Sequence, residues 1–225
     1  MAFVELANVT KEYRVGNDTI VAVRNVALGI ERGTVAAVVG HSGSGKTTLL
    51  SLIGGMVAPT SGRILIDGTD ISTWDGDRLA GYRCERVGFM FQSASLLPIL
   101  TAKENLLLPA AFRSGRADRD PEQRAEELLR AVGLGDKVNA YPAQLSGGQQ
   151  RRVAIARAFM NSPELILADE PTGDLDEETE AEMMQFFLNM NAEHRTTFIM
   201  VTHNTDLARQ THRQFRMERG TVTSL

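Results

Sequence analysis

A glycine-rich octapeptide at 40–47 constrains the fold of this chain more than any other feature. It follows the nearly all-apolar run 34–39 and precedes the segment 46–53, so we expect it to join a buried strand to a helix. Glycines allow the backbone to curl until several N–H groups point to one place, and a helix start adds positive character there. The pattern therefore predicts a loop that binds the phosphates of a nucleotide.

Two side chains of this loop have predicted roles of their own. Lys46 contacts the β- and γ-phosphate oxygens as a point charge, and the hydroxyl of Thr47 binds Mg²⁺. The alternative is a glycine-rich turn with a surface lysine, which the flanking strand and helix argue against. The predicted nucleotide-binding residues of the segment are Gly40, His41, Ser42, Gly43, Ser44, Gly45, Lys46, Thr47 and Thr48.

Two later runs, 165–168 and 198–202, are also nearly all apolar, and each ends in polar residues. Continuous apolar runs of this length are typical of central parallel strands covered by helices on both faces. Ligands of such α/β sheets bind beyond the carboxyl ends of the strands. Asp169, Glu170 and His203 fall at these ends, so we expect them near the phosphate loop.

The chemistry of these residues suggests how they divide the work. Asp169 is predicted to hold Mg²⁺, and Glu170 to act as the general base that polarises an attacking water. His203 is predicted to contact the γ-phosphate, and Gln92, which follows the strand predicted at 87–91, to contact Mg²⁺ or the water. The alternatives are two acids solvated at a strand end and a structural or solvated histidine.

The rest of the chain divides into three parts. The first thirty residues alternate apolar and polar positions and predict short antiparallel strands. The stretch 92–163 is predicted to be mostly helical, with a helix start at Asp120, Pro121 and a capping-box Gln123. The segment 114–120 is the most loop-like, and 215–222 predicts a hairpin with its turn near 219–220.

Composition narrows the class of protein. The 225 residues carry a formal charge of −4 with both signs mixed, which argues against a nucleic-acid partner. Cys84 is the single cysteine, which fits a reducing compartment and a packing role. The N-terminus lacks the layout of a signal peptide, and no apolar run approaches the roughly 20 residues that span a bilayer. We therefore expect a cytoplasmic protein.

A second glycine pair follows Leu145 and Ser146. Ser146, Gly147 and Gly148 are predicted to open a helix over 149–161 whose buried face includes Val153, Ile155 and Phe159. A serine-capped helix N-terminus is a second anion site. Taken alone, without the phosphate loop and the acidic strand end, the segment is better interpreted as an ordinary capped helix.

Together these motifs resemble the ATP-binding cassette (ABC) ATPases in order and spacing. The resemblance covers 40–47 (Walker A), Gln92 (Q-loop), 145–149 (signature, ending in Gln149), 165–170 (Walker B and the catalytic glutamate) and His203 (switch histidine). Tyr13 stands where the family has its adenine-stacking aromatic residue; the alternative is an ordinary strand tyrosine.

The resemblance implies one ABC ATPase domain over 1–225. It combines a P-loop (RecA-like) α/β core of mostly parallel strands and an N-terminal antiparallel β-subdomain, at 1–91 and 164–225, with a helical signature subdomain at 92–163. It implies ATP and Mg²⁺ as ligands. It also implies that two copies pair head to tail, with each signature (Ser146, Gly147, Gly148 and Gln149) completing the other copy's nucleotide site.

The segment 170–176 resembles the lipoprotein-releasing (LolD-type) and macrolide-exporter (MacB-type) branch, which usually has Asn where this chain has Asp174. This branch implies separate transmembrane permease subunits and a peripheral position on the inner face of the cell membrane. The apolar stretch 96–108 is expected to dock that partner, the alternative being internal core. An ABC importer and a soluble, assembly-type ABC protein are the alternative functions.

Overall fold

The computed structural model describes residues 2–113, 120–173 and 175–225. The loop expected at 114–120 lies outside the described residues except for Asp120, and so does Asp174. The elements, in chain order, are β1 (Ala2–Val15), β2 (Asp18–Glu31), β3 (Val35–Val39), α1 (Lys46–Ile53), β4 (Ser61–Ile66), β5 (Thr69–Asp70), α2 (Gly76–Arg86), β6 (Val87–Met90), α3 (Ala102–Ala111), α4 (Pro121–Ala131), a 3₁₀ turn (Pro142–Gln144), α5 (Gly147–Ala158), β7 (Leu165–Asp169), α6 (Glu177–His194), β8 (Thr197–Thr202), α7 (Thr205–Arg209), β9 (Arg213–Glu218) and β10 (Thr221–Ser224).

A six-stranded sheet forms the centre of the molecule, in the order β10-β9-β3-β8-β7-β6. Its strands from β9 to β6 pair in parallel, and only β10 is antiparallel among the strands described. Side chains on these strands alternate between two cores: Val35 and Ala37 pack with the helices α3 to α6, whereas Ala36 and Val38 pack with α1 and with the strands β1, β2 and β4. Burial on both faces explains why the three central strands are continuous apolar runs, and their prediction is confirmed.

A second sheet of four antiparallel strands, in the order β2-β1-β4-β5, covers one face of that core. The prediction of short strands in the first thirty residues was wrong, because β1 and β2 each run for 14 residues. Their pairing shifts register between Leu6 and Val9, and Asn8 and Asn25 take positive φ values of 54° and 45°. Bulges of this kind break the alternation pattern, so one long strand looks like two short ones in the sequence.

Helices α3, α4 and α5 lie between β6 and β7, as the sequence predicts. The side chain of Asp120 caps α4 by accepting from Glu122 N at 3.1 Å. Gln123 does not complete a capping box, since its amide instead donates to Glu127 one turn later. Helix α5 starts before the predicted residue 149, because capping by Ser146 places Gly147 at the first helical position, and it ends at Ala158 instead of the predicted 161. Across the described ranges, every helix is too short or too polar to span a bilayer.

Candidate functional site

The loop 40–47 joins β3 to α1, as its pattern predicts, and two of its glycines are required by their neighbours. A Cβ at Gly40 would lie 2.4 Å from Met217 O on β9, and one at Gly45 would lie 2.1 Å from Ala22 O on β2. Gly45 also has a φ of 108°, which side chains rarely adopt. These glycines therefore let the loop sit against two strands, a reason that the motif alone does not reveal.

The C-terminal hairpin supports the same loop. Gly220 N donates to Ser44 O at 3.0 Å, and Arg24 N donates to Gly220 O at 2.8 Å. The sequence predicts this turn, and the structure forms it at residues 219–220 as expected. Its position beside the phosphate loop has no local signal in the sequence, because it depends on β9 pairing with β3.

Lys46 and Thr47 begin α1 and point to different partners. Lys46 is only 8% exposed, and its Nζ donates to Gly40 O at 2.6 Å and to His41 O at 3.0 Å. The ammonium group thus lies inside the curl of the loop, as its predicted contact with phosphate requires. Thr47 Oγ1 donates to Asp169 Oδ2 at 2.7 Å. The structure therefore brings together two of the three side chains expected at Mg²⁺, the third being Gln92.

Asp169 ends β7 and Glu170 follows it. Burial raises the pKa of Asp169, and the hydrogen bond from Thr47 opposes that shift. An anion at this place is stabilised by a nearby cation, which fits a metal ligand. Hydroxyl and carboxylate oxygens are also the donors that Mg²⁺ prefers, usually with one or two protein ligands beside phosphate oxygens and waters. Within 2–113, 120–173 and 175–225, no group of three or more His, Cys, Asp or Glu residues could hold a metal by itself.

Glu170 is held by groups at the end of β8. Its Oε1 lies 3.0 Å from His203 Nδ1, and its Oε2 accepts from Thr202 Oγ1 at 3.0 Å. The Glu170 side chain is 15% exposed and that of His203 74% exposed, so the pair spans the boundary between core and solvent. The sequence predicts roles for Glu170 and His203 separately. It gives no sign that Thr202 anchors Glu170, because Thr202 is simply the last residue of a predicted strand.

One open cavity of about 990 Å³ contains most of the predicted site. Tyr13, Gln92 and Gly173 reach it from three different segments, and Arg219 borders it from the hairpin turn. Its predicted members are Tyr13, His41, Ser42, Gly43, Ser44, Gly45, Lys46, Thr47, Thr48, Gln92, Asp169, Glu170 and His203. Gly40 lies just behind it, against β9. This volume is large enough for a nucleotide.

The signature residues are not among the residues that line this cavity in the described part of the chain. They form the N-terminus of α5 instead, where Ser146 Oγ accepts from Gln149 N at 3.2 Å and Gln149 Oε1 accepts from Ser146 N at 3.0 Å. The predicted serine cap is confirmed, and Gln149 adds the reciprocal half of a capping box. Within one copy of the chain the structure does not bring the signature to the phosphate loop.

The apolar stretch 96–108 divides between the two alternatives considered for it. Leu106 is fully buried in the helical core, whereas Leu97 and Ile99 are 45% and 79% exposed. Beside this segment lies an open groove of about 760 Å³ bordered by Phe91, Cys84 and Phe112. Burial raises the pKa of the Cys84 thiol, which fits its predicted packing role. The exposed apolar surface belongs to the start of the stretch and to this groove.

Comparison with known proteins identifies the family. A family model described as "ABC transporter" matches residues 23–173. The chain is 44% identical to the macrolide export ATP-binding/permease protein MacB of Rhodopirellula baltica, over 97% of this chain and 32% of that protein. It is 41% identical to the lipoprotein-releasing system ATP-binding protein LolD of Idiomarina loihiensis, over 97% of this chain and 96% of that protein.

A solved structure gives the same result. The dimeric, post-hydrolysis structure of the ATP-binding cassette MJ0796 bound to ADP and Pi, a protein of Methanocaldococcus jannaschii, superposes with a TM-score of 0.93. It shares 42% identity and covers 99% of this chain and 97% of its own. The chain spans about a third of the length of the two macrolide-export relatives it matches. This chain belongs to the ABC transporter family, and the family and fold predicted from the motifs are confirmed.

Proposed function

We propose that this member of the ABC transporter family is an ATP-binding and ATP-hydrolysing subunit of a membrane transport complex. One observation carries the proposal: Lys46, Thr47, Asp169, Glu170 and His203 line a single cavity at the carboxyl ends of parallel strands. Such a set binds phosphates, a metal ion and an attacking water at one place. The likeness to a cassette bound to ADP and Pi supports hydrolysis as the outcome.

Two copies of the chain would work as a head-to-tail pair. The cavity holds the phosphate loop, and the signature lies outside it. A capped helix N-terminus is suited to an anion, so the start of α5 fits the γ-phosphate bound by a second copy. The dimeric cassette that this chain resembles supports such a pairing. Each dimer would then contain two sites, both shared between subunits.

In the proposed reaction, Glu170 takes a proton from the water that attacks the γ-phosphate. The bond from the γ-phosphorus to the oxygen that bridges to the β-phosphate breaks, so that ADP and inorganic phosphate leave. Its two carboxylate oxygens are already oriented by His203 and Thr202, and each keeps lone pairs for the water. His203, largely exposed, contacts the γ-phosphate and holds the Glu170 carboxylate in place. Lys46 stabilises the charge on the phosphate oxygens, and Tyr13 stacks on the adenine ring.

Mg²⁺ fits this site, with Thr47 and Asp169 as its protein ligands and Gln92 at its border. Bound there, the ion would supply positive charge that offsets the negative charge of the phosphate oxygens. Because Thr47 and Asp169 already lie in hydrogen-bond contact, little rearrangement is needed to place both on one ion.

We also propose that membrane-spanning subunits, on separate polypeptides, receive the motion of the dimer, and that this chain is peripheral on the inner face of the cell membrane. The exposed apolar groove at Phe91, Cys84 and Phe112, beside Leu97 and Ile99, is the proposed docking surface. The helical segment 92–163 would act as a subdomain that moves with this partner. Relatives named for lipoprotein release and macrolide export support release or efflux as the class of transport.

The test of the hydrolytic role is Glu170→Gln. This variant keeps the size of the side chain but removes the base, so we expect turnover to fall about 10²- to 10⁴-fold. Binding of ATP should persist, and size-exclusion chromatography with ATP should show a stable dimer. Steady-state phosphate release measures the rate, and a near-normal rate in this variant would refute the role of Glu170.

Purification from detergent-solubilised membranes tests the partner: recovery without any integral-membrane protein argues against the transport role.

A further inference from the structure

One buried arginine outside the predicted site contacts both the segment that carries Gln92 and the segment that carries Glu170. Arg151 lies on α5, five residues beyond the signature serine, and is only 3% exposed. Its guanidinium donates to main-chain carbonyls from the ends of β6 and β7. The acceptors are Pro171 O at 2.8 Å, Asp169 O at 3.4 Å, and the oxygens of Phe91, Gln92 and Glu170.

We propose that Arg151 is a positioning residue for ATP hydrolysis: it joins the signature helix to the Q-loop and to the catalytic glutamate. The proposal rests on the function proposed above for Glu170. A guanidinium has five donors in a rigid plane, so it can serve two backbone segments at once, which a lysine ammonium cannot do with the same geometry.

The backbone of Glu170 needs such support. Its φ is 47°, in the left-handed region, which is unfavourable for a non-glycine residue. Glu170 N donates to Val201 O at 2.9 Å, which fixes one side of the residue. Arg151 binds the carbonyl on the other side. The strained peptide is therefore held from both directions, and the carboxylate with it.

The same side chain links the two half-sites carried by one chain. The N-terminus of α5 belongs to the proposed site on the partner, whereas Gln92 and Glu170 belong to the site in the same chain. Because Arg151 lies on α5, a shift of this helix moves the hydrogen bonds that hold Gln92 and Glu170. Closure of the dimer onto the signature would thus change the position of the Glu170 carboxylate.

The next residue offers a matched control. Arg152 lies on the same helix and is partly buried, but its Nη1 donates to Val132 O at 3.3 Å, within the helical segment. Replacing Arg152 removes an arginine from the same helix without touching the ends of β6 or β7.

The experiment compares Arg151→Ala, Arg151→Lys and Arg152→Ala in the full chain. We expect Arg151→Ala to lower kcat about 10- to 100-fold, the size of effect that misplacement of a catalytic group produces. The stoichiometry and affinity for a fluorescent ATP analogue should stay at the wild-type level. Millimolar guanidinium should restore part of the lost rate, and Arg151→Lys should show a smaller loss. Arg152→Ala should keep kcat within about threefold of wild type.

A second readout does not depend on turnover. In protein labelled at histidine, the ring resonances of His203, assigned with His203→Ala, should shift in Arg151→Ala and stay in place in Arg152→Ala, because His203 contacts Glu170. A wild-type kcat in Arg151→Ala overturns the proposal. So does a loss of rate that only matches a loss of binding stoichiometry and that guanidinium does not restore. If Arg151→Ala does not fold, Arg151→Lys decides: reduced kcat at full stoichiometry supports the proposal, and full kcat overturns it.

Failure of the underlying function looks different. It would appear as a wild-type protein without ATPase activity, or as Glu170→Gln with a normal rate. The comparison of the His203 resonances among wild type, Arg151→Ala and Arg152→Ala reports on the link between Arg151 and Glu170 whatever the ATPase rates are.

Discussion

Two helix N-termini in this molecule are built for anions, and they are completed in opposite ways. The N-cap residue of helix α1 is Gly45, which is in the left-handed region, and no side chain caps the helix in the portion of the chain that the structure describes. The N-cap residue of helix α5 is Ser146, and both hydrogen bonds of a capping box are formed there. The N-terminus of α1 leaves its N–H groups available for a phosphate, whereas the N-terminus of α5 already pairs some of its N–H groups within the capping box.

The glycines beside these starts differ in the same sense. A Cβ at Gly45 would lie 2.1 Å from Ala22 O, whereas a Cβ at Gly147 would meet nothing within 4 Å among the described residues. The loop before α1 is enclosed by its own chain, while the start of α5 is open. An enclosed site can bind its ligand within one chain, but an open one needs a surface brought from outside.

The largest effect is expected when two inactive variants are mixed, which tests the difference between the enclosed start of α1 and the open start of α5. Lys46→Met removes the phosphate contact of the enclosed site. Gly147→Asp adds a charge that suits a helix start but repels a phosphate arriving from a partner. Each variant alone should lose nearly all ATPase activity. In a 1:1 mixture, half of the dimers are mixed and one of their two sites is intact, so we expect about a quarter of the wild-type rate.

The measurement is phosphate release by the mixture against each variant alone, with circular dichroism to verify folding. Recovery of activity shows that Lys46 and Gly147 act on the same ATP only across an interface. If each chain used its own signature, every mixed dimer would be inactive, and the mixture would stay at the level of the separate variants.

The second effect concerns stability. Gly45→Ala forces a Cβ against Ala22 O at a φ of 108°, so we expect a loss of about 2 to 4 kcal/mol in the free energy of unfolding, together with weaker nucleotide binding. Gly147→Ala is the matched control and should be neutral or stabilising by up to about 1 kcal/mol. Urea denaturation of the two variants measures both, and equal losses would contradict the contrast between an enclosed and an open helix start.

A smaller effect is expected at the cap of α5. Ser146→Ala removes the acceptor for Gln149 N and should cost about 1 kcal/mol of stability. Ser146→Asn, which can still cap, should recover most of it. Urea denaturation measures the stability and phosphate release the activity. If Ser146 serves the helix alone, Ser146→Asn should restore activity along with stability; if it also contacts phosphate, activity should stay lower.

The smallest effect lies away from both helix starts and serves as their control. Glu164, directly before β7, accepts from Arg32 at 2.6 Å and from Arg86 at 3.0 Å. Burial raises its pKa, but these two arginines outweigh burial and hold the pKa below its usual range. A lowered folded-state pKa means that ionised Glu164 stabilises the protein above its unfolded pKa and loses that contribution as the pH falls through the folded value.

Glu164→Gln should therefore lower the stability at pH 7 by about 1 kcal/mol or less, since the pair is partly exposed to solvent. The difference from wild type should shrink as the pH is lowered toward the acid range, which urea denaturation at several pH values measures. ATPase activity at pH 7 should stay near the wild-type level. A large loss of activity would show that effects at the amino ends of the strands reach the nucleotide cavity.

Much of the site could be predicted from sequence because its signals are local. The apolar run before Gly40 and the polar pair Asp169 and Glu170 are each readable within a few residues. The N-cap at Ser146 is equally local, and the structure forms it. Two predictions failed for different reasons. Register shifts against β2 hid the length of β1, and Gln123 found a competing partner, Glu127, one turn along its own helix instead of bonding back to the cap.

By itself, then, the sequence determined the family, the phosphate loop, the central strands and the order of the motifs, since these depend on residue type and short spacing. Only the tertiary structure decided which glycines are enclosed, that Thr202 anchors Glu170, and that Arg151 reaches the ends of β6 and β7. These facts come from contacts between distant segments of the chain. Arg151 and its acceptors are 18 to 60 residues apart in sequence, and Thr202 and Glu170 are 32 residues apart. Such contacts depend on strand order and helix packing, which no local pattern encodes.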